Sequence, residues 1–83
     1  MHLFLVGAGH VGLVTAVGFA RLGHRMTVAD IDATRIEGLR AGVPPVFEPG
    51  LEAALGAYAA QGRLDFPPAL RPPPDVRVSL VTV

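Results

Sequence analysis

Leu3-Phe4-Leu5-Val6 is an apolar run without alternation, closed by a glycine. A strand buried on both faces reads this way, so it is the first element expected, β1. From Val11 to Leu22 apolar residues continue on all sides, Arg21 stands in the last turn and Gly23 follows. That pattern predicts a largely buried helix, α1, with a left-handed glycine stop. Met26 to Ala29 is a second strand, β2, ending at Asp30. Asp32 suits the N-cap of a helix over Ala33 to Ala41, α2, with Ile36, Leu39 and the stem of Arg40 inward and Gly42 as its stop.

Val43-Pro44-Pro45-Val46-Phe47 has to be extended, because each proline fixes its own φ and biases the residue before it away from the helical region. A third helix, α3, is expected next, with Glu48 at the cap, Pro49 in the first turn, Leu51, Ala54, Leu55 and Tyr58 at helical spacing, and Gly62 at its end. Arg63 to Phe66 alternates like a short edge strand, β3, and Val76 to Val83 returns to the composition of a buried strand, β4. Between these strands the stretch from Pro67 to Pro74 holds five prolines in eight residues, so no regular helix runs through it. One face of the sheet is therefore expected to be thinly covered, since that crossover should supply its helix.

The first glycines carry chemistry. Gly7-Ala8-Gly9-His10-Val11-Gly12 follows a strand, opens a helix, and lies 18 residues before the acidic Asp30 at the end of the next strand. Dinucleotide-binding turns place their ribose-binding acid at about 20 residues. Gly7 permits the tight turn out of β1, Gly9 lets backbone N–H groups approach a pyrophosphate, and Gly12 lets helix and strand pack closely. The helix N-terminus adds unpaired donors and partial positive charge. Asp30 can accept from both hydroxyls of an adenosine ribose and repels a 2′-phosphate, which favours NAD over NADP. Arg35, one turn into α2, can reach the ribose or adenine. The same turn serves FAD and other adenine nucleotides, and glycines at strand-helix turns also occur without a ligand. The order β1-α1-β2-α2-α3-β3-β4 with this turn predicts an α/β chain: a partial Rossmann fold on a mainly parallel sheet with a proline-rich crossover.

Composition narrows the function further. The 83 residues allow one domain at most, and a hydrophobic fraction of 51% excludes a disordered composition. Seven acidic residues balance seven arginines, so nothing attracts nucleic acid. There is no lysine for a Schiff base and no cysteine for a disulfide, a thiolate nucleophile or a thiolate metal site, a usage compatible with a reducing cytoplasm. Between Leu3 and Ala20 only His10 and Thr15 are polar, yet glycines break the stretch and no basic residue precedes it, which opposes a signal peptide or membrane span. His2, His10 and His24 lack ligand spacing and read as surface positions, with His10 also inside the nucleotide turn. Ser79, the only serine, lies in a buried-type strand, so a hydrolytic triad is not expected. Glu48 with Glu52 reads as helix capping and an exposed helix face.

Several stretches together resemble the UDP-glucose/GDP-mannose dehydrogenase family, and within it the UDP-glucose 6-dehydrogenases. They are Gly7 to Val14, Gly23-His24, Asp30-Ile31-Asp32 with Arg35, and above all Pro45-Val46-Phe47-Glu48-Pro49-Gly50-Leu51 followed by Gly62-Arg63-Leu64. The resemblance implies Gly7, Gly9 and Gly12 at the pyrophosphate, His10 and Val11 on the cofactor, Asp30 and Arg35 at the adenosine ribose, and Thr82 lining the cofactor site. The family's usual Thr-Pro signature at that last position is missing, and the proline cluster replaces the helix the family has after β3.

The family oxidises a sugar-nucleotide C6 alcohol to the acid with NAD through a cysteine-linked intermediate, and its nucleophilic cysteine, lysine, asparagine and sugar-nucleotide domain lie outside these residues. The expectation is thus the N-terminal half of an NAD-binding Rossmann domain, residues 1–83, that holds NAD, meets a UDP-sugar only in a longer chain, and does not turn over alone. The competing expectation is a non-catalytic interaction module that binds no nucleotide. In either case an uncovered sheet face predicts a homodimer or larger assembly.

Overall fold

A computed structural model of the chain describes residues 1–45, 48–68 and 70–82. Its elements are β1 (His2–Val6), α1 (His10–Arg21), β2 (Arg25–Ala29), α2 (Ala33–Arg40), α3 (Leu51–Ala60), β3 (Leu64–Asp65) and β4 (Val78–Val81). The strands form one sheet in the order β3-β2-β1-β4, and every pairing is parallel. Order and direction are those of the first half of a doubly wound sheet, as the pattern predicts.

Alternation along the strands divides the sheet into two faces. Leu3 and Leu5 of β1, Met26 and Val28 of β2, and Leu64 of β3 join the core with Leu13, Ala16, Val17 and Ala20 of α1 and Leu51 and Leu55 of α3. Complete burial of Leu5, Leu13, Met26 and Val28 stabilises the fold by about 1.5–3 kcal/mol per side chain. Three glycine stops, Gly23, Gly42 and Gly62, have positive φ as expected after α1, α2 and α3. Asp32 caps α2, its carboxylate accepting from Arg35 N at 3.1 Å, while Arg40 is exposed instead of burying its stem.

Two expectations about the second half are corrected. The N-cap of α3 is Gly50, with φ 83°, so Pro49 precedes the helix and Glu48 does not cap it. Glu48 instead starts a tight turn, its carbonyl accepting from Leu51 N at 3.0 Å. The edge position of β3 holds, though it shortens to two residues. β4 is not a buried strand: Val78 and Val81 are 41% and 73% exposed, and Ser79 is exposed as well. Its outer side borders no other strand among the described residues, and only Leu80 packs against the core. Val46, Phe47 and Val83, which the sequence assigns to an extended segment and to β4, lie outside the described residues.

The face opposite the helices also departs from the expectation of an uncovered apolar surface. Phe4, Thr27 and Ala29 are 4%, 0% and 1% exposed, and His2, expected at the surface, is 9% exposed. Asp75, just after the proline cluster, reaches this face and bonds the His2 ring at 2.8 Å. β4 does carry exposed apolar side chains, Val78 and Val81. Among the described residues no helix is long and apolar enough to cross a membrane.

Candidate nucleotide site

The glycine turn is where three strand ends meet. Gly7 N donates to Ala29 O at 2.8 Å and Thr82 N donates to Val6 O at 2.9 Å, so the ladders of both neighbouring strands run on into the turn. Gly7 has φ 113°, a conformation that a side chain disfavours. A Cβ there would stand 2.4 Å from Thr82 Oγ1. At Gly12 a Cβ would fall 1.8 Å from Gly7 O, so α1 crosses β1 at a distance only glycine allows. Thr82 closes the turn from the other side, donating its hydroxyl to Gly7 O at 3.0 Å.

Gly9 differs from both. It has extended backbone (φ −78°, ψ −170°) as the N-cap of α1, and a Cβ there would meet only Arg35 Nη1, at 4.0 Å. The space above Gly9 is therefore open to a ligand. No side chain caps α1 and no acidic residue stands in its first turn, so its leading N–H groups remain available to an anion.

Asp30 sits beside this opening with a side chain 6% exposed. Its Oδ2 accepts from Ala8 N at 2.7 Å and from Arg35 Nη1 at 3.0 Å, and its Oδ1 accepts from Asp32 N at 2.8 Å. Burial pushes this carboxyl up, but the Asp32 and Ala8 amides together with the Arg35 guanidinium outweigh it and hold the group below the usual aspartate range. Asp30 is thus ionised and fixed in place, with lone pairs left for ribose hydroxyls.

All eight residues singled out in the sequence, Gly7, Gly9, His10, Val11, Gly12, Asp30, Arg35 and Thr82, line one cleft of about 380 Å³. Sequence reasoning missed Val6 and Ile31, which line it too. Ile31 is 85% exposed, and its place beside Asp30 was the available signal. His10 is exposed as expected, with its Nε2 at 2.8 Å from Glu48 Oε2. His24 is half-buried, its ring edge-on to Phe19 with centroids 5.9 Å apart. A larger groove of about 570 Å³ runs between α2, α3 and β3, but among the described residues Arg40 and Asp65 are the only charged ones lining it and no helix N-terminus opens into it. Among the described residues no group of three potential ligands could hold a metal ion.

The cleft fits the adenosine-pyrophosphate half of NAD: open backbone donors for the pyrophosphate, a fixed carboxylate for the ribose, and exposed Ile31 beside it. UDP-glucose 6-dehydrogenase YwqF of Bacillus subtilis is 47% identical over 66 residues, covering 80% of this chain and 15% of that protein. A UDP-glucose dehydrogenase from the hyperthermophilic archaeon Pyrobaculum islandicum superposes with a TM-score of 0.76 at 50% identity, covering 82% of this chain and 16% of that one. A UDP-D-ManNAc dehydrogenase from Pyrococcus horikoshii superposes with a TM-score of 0.92 at 26% identity, over 100% of this chain and 20% of that one. The chain spans about 15% of the length of the curated relatives it matches. The NAD binding domain of the UDP-glucose/GDP-mannose dehydrogenase family matches residues 1–83, and the chain belongs to that family.

Proposed function

We propose that these residues are the adenosine-pyrophosphate half of the NAD site of a UDP-glucose 6-dehydrogenase-like oxidoreductase. The contrast among the three glycines carries the reading: protein atoms crowd the Cβ positions of Gly7 and Gly12, whereas Gly9 is kept free. The first-turn N–H groups of α1 hold the pyrophosphate, Asp30 accepts from the ribose hydroxyls, and Arg35 and Ile31 flank the adenosine. Asp30 also opposes a 2′-phosphate, and so selects NAD. NAD, when bound, supplies the hydride acceptor for oxidation of the sugar C6 alcohol. These residues bind and orient it, and contact with a UDP-sugar and the cysteine chemistry belong to other parts of a longer enzyme. The absence of cysteine fits a reducing cytoplasm.

The test is calorimetric titration of the 83-residue chain with NAD, beside a Gly9→Ala variant whose circular dichroism and unfolding midpoint match the wild type. Saturable binding that weakens at least tenfold in the variant supports the reading. Equal heats in both, or none from the folded wild type at millimolar NAD, would sink it.

One observation favours self-association as a second property. Val78 and Val81 stand exposed on a strand whose outer edge is unpaired among the described residues, a surface that invites another strand. Sedimentation velocity over a hundredfold concentration range should show a dimer or larger species, and a single monomer boundary throughout would reject it.

A further inference from the structure

On the face away from the helices, four side chains from four segments form one hydrogen-bonded chain. His2 Nδ1 lies 2.8 Å from Asp75 Oδ2 of the crossover, and His2 Nε2 lies 2.6 Å from Thr27 Oγ1 of β2. Thr27 Oγ1 in turn donates to Asp65 Oδ1 of β3 at 2.9 Å. Arg25 Nε completes the charged surroundings at 4.0 Å from Asp65 Oδ1. The connectivity Asp75–His2–Thr27 matches that of an acid-base-nucleophile triad, but Thr27 is 0% exposed and its proton is committed to Asp65, so no substrate could reach it.

Counting protons settles the roles. Two ionised carboxylates are acceptors only, and a threonine hydroxyl has one proton to give. Three contacts need three protons, of which Thr27 supplies the one on Asp65. His2 must supply the other two, with both ring nitrogens protonated. The His2 side chain is only 7% exposed, so water cannot readily replace a contact it loses, whereas the Asp75 side chain is 64% exposed and hydrates freely.

We propose that His2 is a proton-dependent clamp that holds the proline crossover on the sheet: doubly protonated it bonds Asp75 and Thr27 together, and on losing one proton it releases Asp75. A neutral ring that keeps Nε2–H for Thr27 turns a lone pair toward the Asp75 carboxylate, and that repulsion frees the crossover. A neutral ring that keeps Nδ1–H instead needs the Thr27 proton and strips it from Asp65. The first route costs less, because Asp75 is the more exposed carboxylate. Asp75 fits this role: its hydrogen bond to His2 holds its carboxyl below the usual aspartate range, against a small opposing effect of burial. The signs follow. The clamp is lost when the ring gives up a proton, and the contribution of Asp75 is lost as pH falls through its depressed value.

The experiment is urea unfolding of the 83-residue chain from pH 5.5 to 8.5, for wild type, Asp75→Asn and His2→Gln. An asparagine can turn its oxygen toward Nδ1–H or its amide toward a bare Nδ1, so it keeps the contact in either protonation state. The wild-type unfolding constant should rise about three- to tenfold across the range, and Asp75→Asn should remove most of that rise. His2→Gln should remove it as well. Groups outside the cluster are the same in all three proteins and cancel in the comparison. An equal rise in wild type and Asp75→Asn overturns the clamp. A second reading needs no variant: imidazole nitrogen shifts of wild-type His2 at pH 5.5 should show both nitrogens protonated, and amide exchange at Val76 should accelerate as the ring loses a proton. A neutral His2 at pH 5.5, or Val76 exchange indifferent to His2 protonation, also overturns it.

Discussion

The Ala8 amide donates to Asp30 Oδ2 at 2.7 Å, joining the turn after β1 to the end of β2. The carboxylate proposed to bind the ribose is therefore also a strut of the glycine turn. Asp30→Ala removes an acceptor from three donors at once, leaving Ala8 N without its partner inside the turn. We expect a loss of about 1–3 kcal/mol in urea unfolding together with the loss of NAD binding. Binding lost with stability untouched would show that the strut role is wrong.

The depressed Asp30 carboxyl sets a direction for acid unfolding. A carboxylate favoured in the folded state stabilises it above the unfolded-state value, and that contribution disappears as pH falls through the lower folded-state value. Wild type should thus lose stability on acidification below the ordinary aspartate range more steeply than Asp30→Asn. Parallel acid-unfolding curves would contradict this.

The three turn glycines should separate in a substitution series. Gly12→Ala drives a methyl into the Gly7 carbonyl, and neither backbone can yield, so a loss of about 3 kcal/mol or outright failure to fold is expected. Gly7→Ala combines positive φ with a clash on Thr82 and should be similarly damaging. Gly9→Ala should unfold within about 1 kcal/mol of wild type, because its backbone suits any residue and its Cβ meets nothing closer than 4.0 Å. Thermal melts of the three variants decide the matter.

The His10–Glu48 pair should matter little to stability. Both side chains are well exposed, at 55% and 40%, and exposed ion pairs contribute less than about 1 kcal/mol. Glu48→Gln also leaves intact the backbone bond that its carbonyl accepts from Leu51 N. A melting temperature several degrees below wild type would mean that the pair orders the segment before α3.

Legibility along the chain followed how local each cause is. Gly7, Gly9 and Gly12 could be read because the steric demands of a strand-turn-helix act within a few residues, and Asp30 because β2 follows at a fixed distance. The start of α3 was ambiguous, since Glu48, Pro49 and Gly50 are all residues that open helices, and the left-handed backbone at Gly50 decides among them. β4 misled because its valines and leucine are as apolar as the residues of β1. Their exposure depends on the order β3-β2-β1-β4, which leaves β4 at an edge, and no local pattern carries that. His2 misled for the same reason: its burial depends on β1 pairing His2 with Arg25 and on Asp75 arriving from 73 residues away.

The bond from Thr82 to Gly7 O spans 75 residues. The β1-α1-β2 unit can assemble from contacts close in sequence, but one side of β1 waits for β4, more than seventy residues later. On an emerging polypeptide the glycine turn thus appears tens of residues before the strand that holds its carbonyl in place. The glycine turn is completed only when β4 docks, and until then the open edge of β1 is the place where a premature partner would pair.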